Sequence, residues 1–218
     1  QGHNKVAILV RRATIERSVR SADQAGRKCA HIWRSRKHDS MSITLDTTEG
    51  SLMIATAYVP SGVDNMSNTD RDTVSEMHKE LQIESSYHTH SIICMDANET
   101  TSPLGRIRVD HQGQPTPSGS SRSASTMDWY TESKTHAHRH ISTQTNEDRP
   151  YPETSDMTHV QPAAGGMTVY SALDVILCSN TLTPRLRSCT IDDRPRHWAK
   201  GRDTGYSSYH KAVIGQWC

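Results

Sequence analysis

Phenylalanine is missing from the 218-residue chain, and aromatic residues amount to only 5% of it. Hydrophobic residues make up 33%. Counting the glycines as apolar raises the share only to roughly 38%, against ~45–50% for an ordinary globular domain. About a fifth of the chain is Ser or Thr, so the core is thin and much of the sequence is loop or solvated surface. No apolar stretch approaches the ~20 residues that cross a bilayer, so no membrane partner is expected. The opening residues, Gln1-Gly2-His3-Asn4, carry neither Met nor an apolar leader, which points to a piece excised from a longer chain, without a targeting segment. The net charge is only +1. That excludes nucleic-acid affinity built on bulk positive charge and leaves room for a local basic patch. The 5 cysteines are odd in number and form no C-x-x-C, which argues against a disulfide framework or a zinc ribbon. Cys94 and Cys178 lie inside apolar runs, as small core residues do. A reducing, intracellular compartment follows.

Four apolar runs are present. They are Lys5-Val6-Ala7-Ile8-Leu9-Val10, residues 51–59, Ser91-Ile92-Ile93-Cys94-Met95, and Leu173-Asp174-Val175-Ile176-Leu177-Cys178. Their length, their β-branched content and the turn residues at their ends predict strands buried on both faces. The alternation Met41-Ser42-Ile43-Thr44-Leu45-Asp46 predicts a half-buried strand that pairs with the next across residues 47–50. Lys211-Ala212-Val213-Ile214 is a weaker strand. Residues 68–83, with Asn68 or Thr69 as N-cap and Val74, Met77 and Leu81 at helical spacing, predict an amphipathic crossover helix. Between Thr100 and Tyr170 the pattern dissolves. A Ser-rich loop spans 118–125, Asp128-Trp129-Tyr130 could seed a short helix, and Gly165-Gly166 marks a turn. Strands with few helices and long loops predict an α/β or α+β sandwich, with residues 1–218 as one domain.

The chemistry lies at the strand ends. Asp96 and Asn98 follow a buried run immediately, where a rigid element can hold a carboxylate and an amide two residues apart in a cleft. Asp174 interrupts an apolar run and needs a partner, for which the imidazole of His210 is suited. Such a set fits phosphodiester hydrolysis: one carboxylate takes a proton from water, the amide orients, and the Asp–His pair donates to the phosphoryl oxygen, with a divalent metal sharing the work. Other features read more plainly. His136-Ala137-His138-Arg139-His140 would set alternating histidines on one strand face as metal ligands, but with no acidic or Cys ligand nearby it reads rather as a solvated loop, and His88 and His90 stand in solvent before the Asp96 strand. Arg11, Arg12, Arg17, Arg20, Arg27 and Lys28 form either a phosphate-binding surface or an ordinary charged face.

The order of these motifs resembles the endonuclease/exonuclease/phosphatase superfamily, the DNase I-like proteins, and most of all the endonuclease domains of non-LTR retrotransposons and the apurinic/apyrimidinic endonucleases. Residues 4–10 are similar to the G-G-V-A-I-L-V strand of retroelement members. A-T-A-Y-V-P-S-G at 55–62 is similar to the stretch carrying a phosphate-contacting tyrosine, here Tyr58. I-I-C-M-D-A-N-E at 92–99 resembles the G-D-F-N motif, S-A-L-D-V-I-L-C-S at 171–179 the S-x-I-D-Y-I-L-x-S motif, and S-Y-H-K-A-V at 208–213 the closing S-D-H-x-P-V. The resemblance implies a four-layered αββα sandwich whose first strands are missing from this chain. It makes Asp96 the water-activating residue, Asn98 its orienting partner, Asp174 the buttress of the imidazole and His210 the phosphate-facing imidazole. Thr158 resembles the family's threonine before the L-D motif. Mg²⁺ or Mn²⁺ is the implied cofactor and DNA the implied substrate, with RNA as an alternative. A downstream reverse transcriptase is an implied partner and the nucleus an implied location.

The departures concern the metal. The family's L-Q-E glutamate precedes the strand matched by residues 5–10, so it lies outside this chain; Leu81-Gln82-Ile83-Glu84 comes too late to be it. The Asp of S-D-H is Tyr209, a poor ligand for a hard cation. Two alternatives stand beside the nuclease: a non-catalytic remnant that binds nucleic acid or a partner, and a phosphatase of lipid or inositol phosphates.

Overall fold

The computed structural model describes residues 6–24, 26, 31–60, 68–98, 106–117, 136–138, 157–192 and 210–218. Strands β2 (Ser40–Thr47) and β3 (Gly50–Tyr58) form the expected antiparallel hairpin, closed where Thr47 faces Gly50. Gly50 has φ 126°, a backbone state open to glycine, and the Thr47 hydroxyl donates to its carbonyl at 2.7 Å. Beyond β3 the chain enters helix α2 (Asn68–Ser86) and returns as β4 (His90–Asp96), parallel to β3. Strand β10 (Asp174–Ser179) pairs antiparallel with β4. Strands β1 (Ile32–Arg34) and β7 (His136–His138) complete the sheet, in the order β1-β2-β3-β4-β10-β7.

Successive strand residues face opposite sides, so the registers sort this sheet into two faces. Met53, Ala55, Ala57, Ile93, Met95, Val175 and Leu177 share one face with Met77 and Leu81 of α2, in the main core cluster. Methionines and small alanines fill this core in place of the absent phenylalanine; Met adapts to irregular gaps. The opposite face carries Ile54, Cys94 and Ile176. Against it lies the ribbon of β11 (Leu186–Asp192) and β12 (Ala212–Trp217), where a Cβ on Gly215 would sit 3.4 Å from Ile176 Cδ1.

A second sheet joins β5 (Arg106–Val109), β6 (Pro115–Pro117), β8 (His159–Pro162) and β9 (Thr168–Ser171), in the order β6-β5-β9-β8. Gly165 and Gly166, at φ 75° and 73°, make the expected turn between β8 and β9. Helix α1 (Arg12–Gln24) lies on β2, where the Ser18 hydroxyl accepts from the Asp46 amide at 2.6 Å.

Several expectations are corrected. Residues 6–10 form no strand, and Leu9 is 89% exposed. A strand is made by hydrogen bonds to a neighbour as well as by apolar content, and the open edge of β2 is taken by β1. The polar sequence that follows folds as helix α1. Residues 100–170, read as loop, contain most of the second sheet; its strands are three or four residues long, too short for alternation to register. His136–His138 is likewise a strand, held by main-chain bonds to β10. His88 is not in solvent: its side chain is 10% exposed, with Nε2 3.6 Å from Glu84 and 3.4 Å from the Thr44 hydroxyl. The 118–125 loop, the 128–130 helix seed, Arg27, Lys28, Tyr209, Arg139 and His140 lie outside the described residues.

His78 on α2 is buried, and burial, reinforced by the charge of His38, lowers its pKa to about 4. The unfolded chain takes up a proton near pH 6.5 that the folded ring refuses. The stability this represents is therefore complete above pH 6.5 and lost as pH falls toward 4. Urea unfolding at pH 7.5 and 4.5 should show His78→Met losing about 2–3 kcal/mol less than the parent across that interval.

Candidate active site

The register brings three separate motifs into one row. Tyr58 of β3 stands beside Asp96 of β4, and Asp96 beside Asp174 of β10. All three share the face of the sheet opposite α2, at one end of their strands. The rigid ladder spaces them at about the 4.8 Å distance between strands.

His210 arrives from the other direction. It forms an isolated antiparallel bridge with His159 of β8, and the Lys211 amide donates to the Thr158 carbonyl at 2.6 Å. The imidazole then meets Asp174, with Nδ1 2.9 Å from one carboxylate oxygen and 3.2 Å from the other. An Nδ1–H donating to Asp174 leaves Nε2 toward Asp96, whose Oδ2 lies 4.0 Å away. That gap is too long for a direct hydrogen bond and short enough for one oxygen atom to bond both groups. The His210 pKa is raised, first by its hydrogen bond to Asp174, against burial, with the Asp174 and Asp96 charges adding to the rise. Both aspartates are only partly buried, their side chains 22% and 18% exposed, so Asp174 is less enclosed than its apolar run suggested.

Thr158 holds the back of the site. Its buried hydroxyl accepts from the amides of Leu173 at 2.9 Å and Asp174 at 3.0 Å, which fixes the start of β10. Asn98 holds the front. Its φ is 49°, a left-handed state that Asn tolerates better than most residues. In that turn its amide donates to Asp96 Oδ1 at 3.1 Å, and its side-chain Nδ2 donates to the Val59 carbonyl at 2.6 Å. Asp96, Asn98, Asp174 and His210, singled out in the sequence, thus converge, with Tyr58 alongside.

Two residues went unnoticed in the sequence. His159 packs edge-on against His210, ring centroids 4.7 Å apart, and Arg106 donates through Nε to the Ser171 hydroxyl at 3.0 Å. The alternation Arg106-Ile107-Arg108-Val109 was the available signal for the second, and it is only four residues long.

Asp96, Asp174 and His210 each offer one ligand atom, all within 4.8 Å of one another. The two carboxylates with waters suit Mg²⁺ or Mn²⁺, and the imidazole could join them only when its Nε2 carries no proton. The donor set fits a divalent cation even without the family's glutamate.

No family model matches the chain, and no curated protein matches its sequence. Solved structures do resemble it. The 3′ phosphatase NExo (D146N) from Neisseria, bound to a product DNA hairpin, superposes with a TM-score of 0.55 at 12% identity, over 87% of this chain and 70% of that one. The 3′-5′ exonuclease NExo from Neisseria meningitidis gives 0.51 at 13% identity, over 81% and 64%. The chain shares the DNase I-like fold of these two structures. The endonuclease domain of TRAS1, a telomere-specific non-LTR retrotransposon, gives 0.47 at 10% identity, over 95% and 93%. The row of Tyr58, Asp96 and Asp174 lies at the ends of three neighbouring strands, β3, β4 and β10.

Thr158→Val would leave two interior amides without an acceptor and should cost about 2–4 kcal/mol in urea unfolding, whereas Thr158→Ser should keep most of the stability. Equal stability of all three proteins would remove the hydroxyl from the support of β10.

Proposed function

We propose that the chain is a phosphodiesterase domain that hydrolyses DNA, of the retroelement endonuclease kind, with Mg²⁺ or Mn²⁺ as cofactor. The observation that carries this reading is the opposition of Asp96 and His210 Nε2 across 4.0 Å, with Asp174 behind the imidazole. A phosphoryl oxygen or an attacking water fits between an anionic acceptor and a donor of raised pKa. DNA as substrate is supported by the fold, since one structure of similar fold holds a DNA hairpin product. The reading extends to residues 1–218 acting as one domain, with a reverse transcriptase as partner and a nuclear setting.

In this mechanism Asp96 takes the proton from the attacking water. Asn98 keeps Asp96 aimed, because its amide is bonded to the carboxylate and its side chain to Val59. His210, oriented and kept cationic by Asp174, donates Nε2–H to a phosphoryl oxygen as negative charge grows there. Tyr58, beside Asp96, contributes its hydroxyl to the bound phosphate. Asp96 and Asp174 are the carboxylates that would hold the cation, which when bound polarises the phosphoryl oxygen and steadies the leaving oxygen.

Plasmid nicking in Mg²⁺ and in Mn²⁺ tests the reading on the parent, Asp96→Ala and His210→Ala. Each variant should lose at least ~10²-fold in rate, the scale of a general acid–base group, with its circular dichroism spectrum intact. Equal nicking by all three would remove both residues from the chemistry. Salt-dependent DNA binding by a parent that never nicks would favour a binding-only domain. Isothermal titration with Mn²⁺ gives a readout independent of turnover: the parent should bind and Asp96→Asn should bind more weakly.

A further inference from the structure

We propose that Arg106 and His159, carried beside His210 by the second sheet, form a subsite for a non-reacting backbone phosphate of the bound strand, next to the reacting one. This rests on the phosphodiesterase reading above and adds a binding element to it.

The register carries the argument. Arg106 of β5 faces Ser171 of β9, Ser171 faces His159 of β8, and His159 is bridged to His210. Residues paired across neighbouring strands point to the same side, so these four share one face. The row therefore continues the one that holds Tyr58, Asp96 and Asp174, and His210 is the joint between the two sheets. Along it the chemistry changes from carboxylate to imidazole to guanidinium, moving away from the proton acceptor.

The Arg106 side chain leans the right way. Its Nε–H bond to the Ser171 hydroxyl at 3.0 Å draws it across β9 toward His159. A guanidinium anchored at Nε keeps a planar fork that matches two phosphate oxygens. The His159 ring, edge-on to His210, offers a hydrogen-bonding group beside it, and Arg106 supplies the charge. A phosphate here would be bound without a proton acceptor to activate water, since Asp96 stands on the far side of His210. The subsite would position the strand and take no part in bond cleavage.

The test is equilibrium binding of a fluorescent DNA oligonucleotide in EDTA, followed by anisotropy at several salt concentrations. Arg106→Gln should weaken binding by about 5–30-fold at low salt and reduce the slope of log K against log salt by about one. Arg106→Lys should restore the slope and only part of the affinity, because a point charge replaces the fork. His159→Gln should weaken binding by a few-fold. Lys79→Gln, exposed on α2 at the face of the sheet opposite the site, should match the parent. A parent that binds DNA with Arg106→Gln matching it in affinity and slope overturns the subsite while leaving the nuclease reading standing. Should Arg106→Gln unfold, Arg106→Lys decides, and undiminished affinity there overturns the subsite. A parent that binds no DNA at any salt overturns the nuclease reading and the subsite together.

Discussion

The arrangement of the site depends on strand register. Parallel pairing sets Tyr58 beside Asp96, and antiparallel pairing sets Asp96 beside Asp174. A slip of one residue in either ladder would turn a whole strand over and send its carboxylate toward α2. The register is in turn secured by what the same strands do on their other face. There Ala55, Ala57, Ile93, Met95, Val175 and Leu177 interlock with Met77 and Leu81, so the apolar face holds the polar row in place.

His210 is positioned differently. It lies at the start of the last strand segment and reaches the row through main-chain contacts with Thr158 and His159 on the second sheet. Thr158 serves both sides of this joint. Its carbonyl accepts from Lys211, while its hydroxyl accepts from Leu173 and Asp174. One residue therefore ties the segment that carries the imidazole to the strand that carries its buttress. The Asp174–His210 bond is the outcome of that tie, and two long-range contacts support it.

The thin composition fits this economy. The large buried side chains are concentrated under β3, β4 and β10, where precision is needed, and a smaller cluster of Ile107, Met157 and Ala172 supports the second sheet. Helix α1 packs on β2 through buried Ser18 and Ala22 and turns most of its other residues to solvent. Ser40, Ser42 and His78 are polar residues buried elsewhere in the fold, and the His78 ring bears on stability.

Much of this was legible from residue order. The runs at 51–59, 91–95 and 173–178 have the length and branching of buried strands, and Asp96, Asn98, Asp174 and His210 stand out because polar groups at such strand ends need a reason. Residues 6–10 misled, because an apolar run does not say whether a neighbour is available to pair with it. The second sheet was hidden because strands of three or four residues leave no measurable periodicity. Local sequence thus determined the longer strands β2, β3, β4 and β10 and which side chains could do chemistry, since burial and alternation are encoded within a few residues. Only the tertiary structure decided that Asp174 and His210 bond, that His159 and Arg106 extend the row, and that Asp96, Asp174 and His210 come within reach of one cation. Those facts depend on pairing between residues tens of positions apart, which no local pattern specifies.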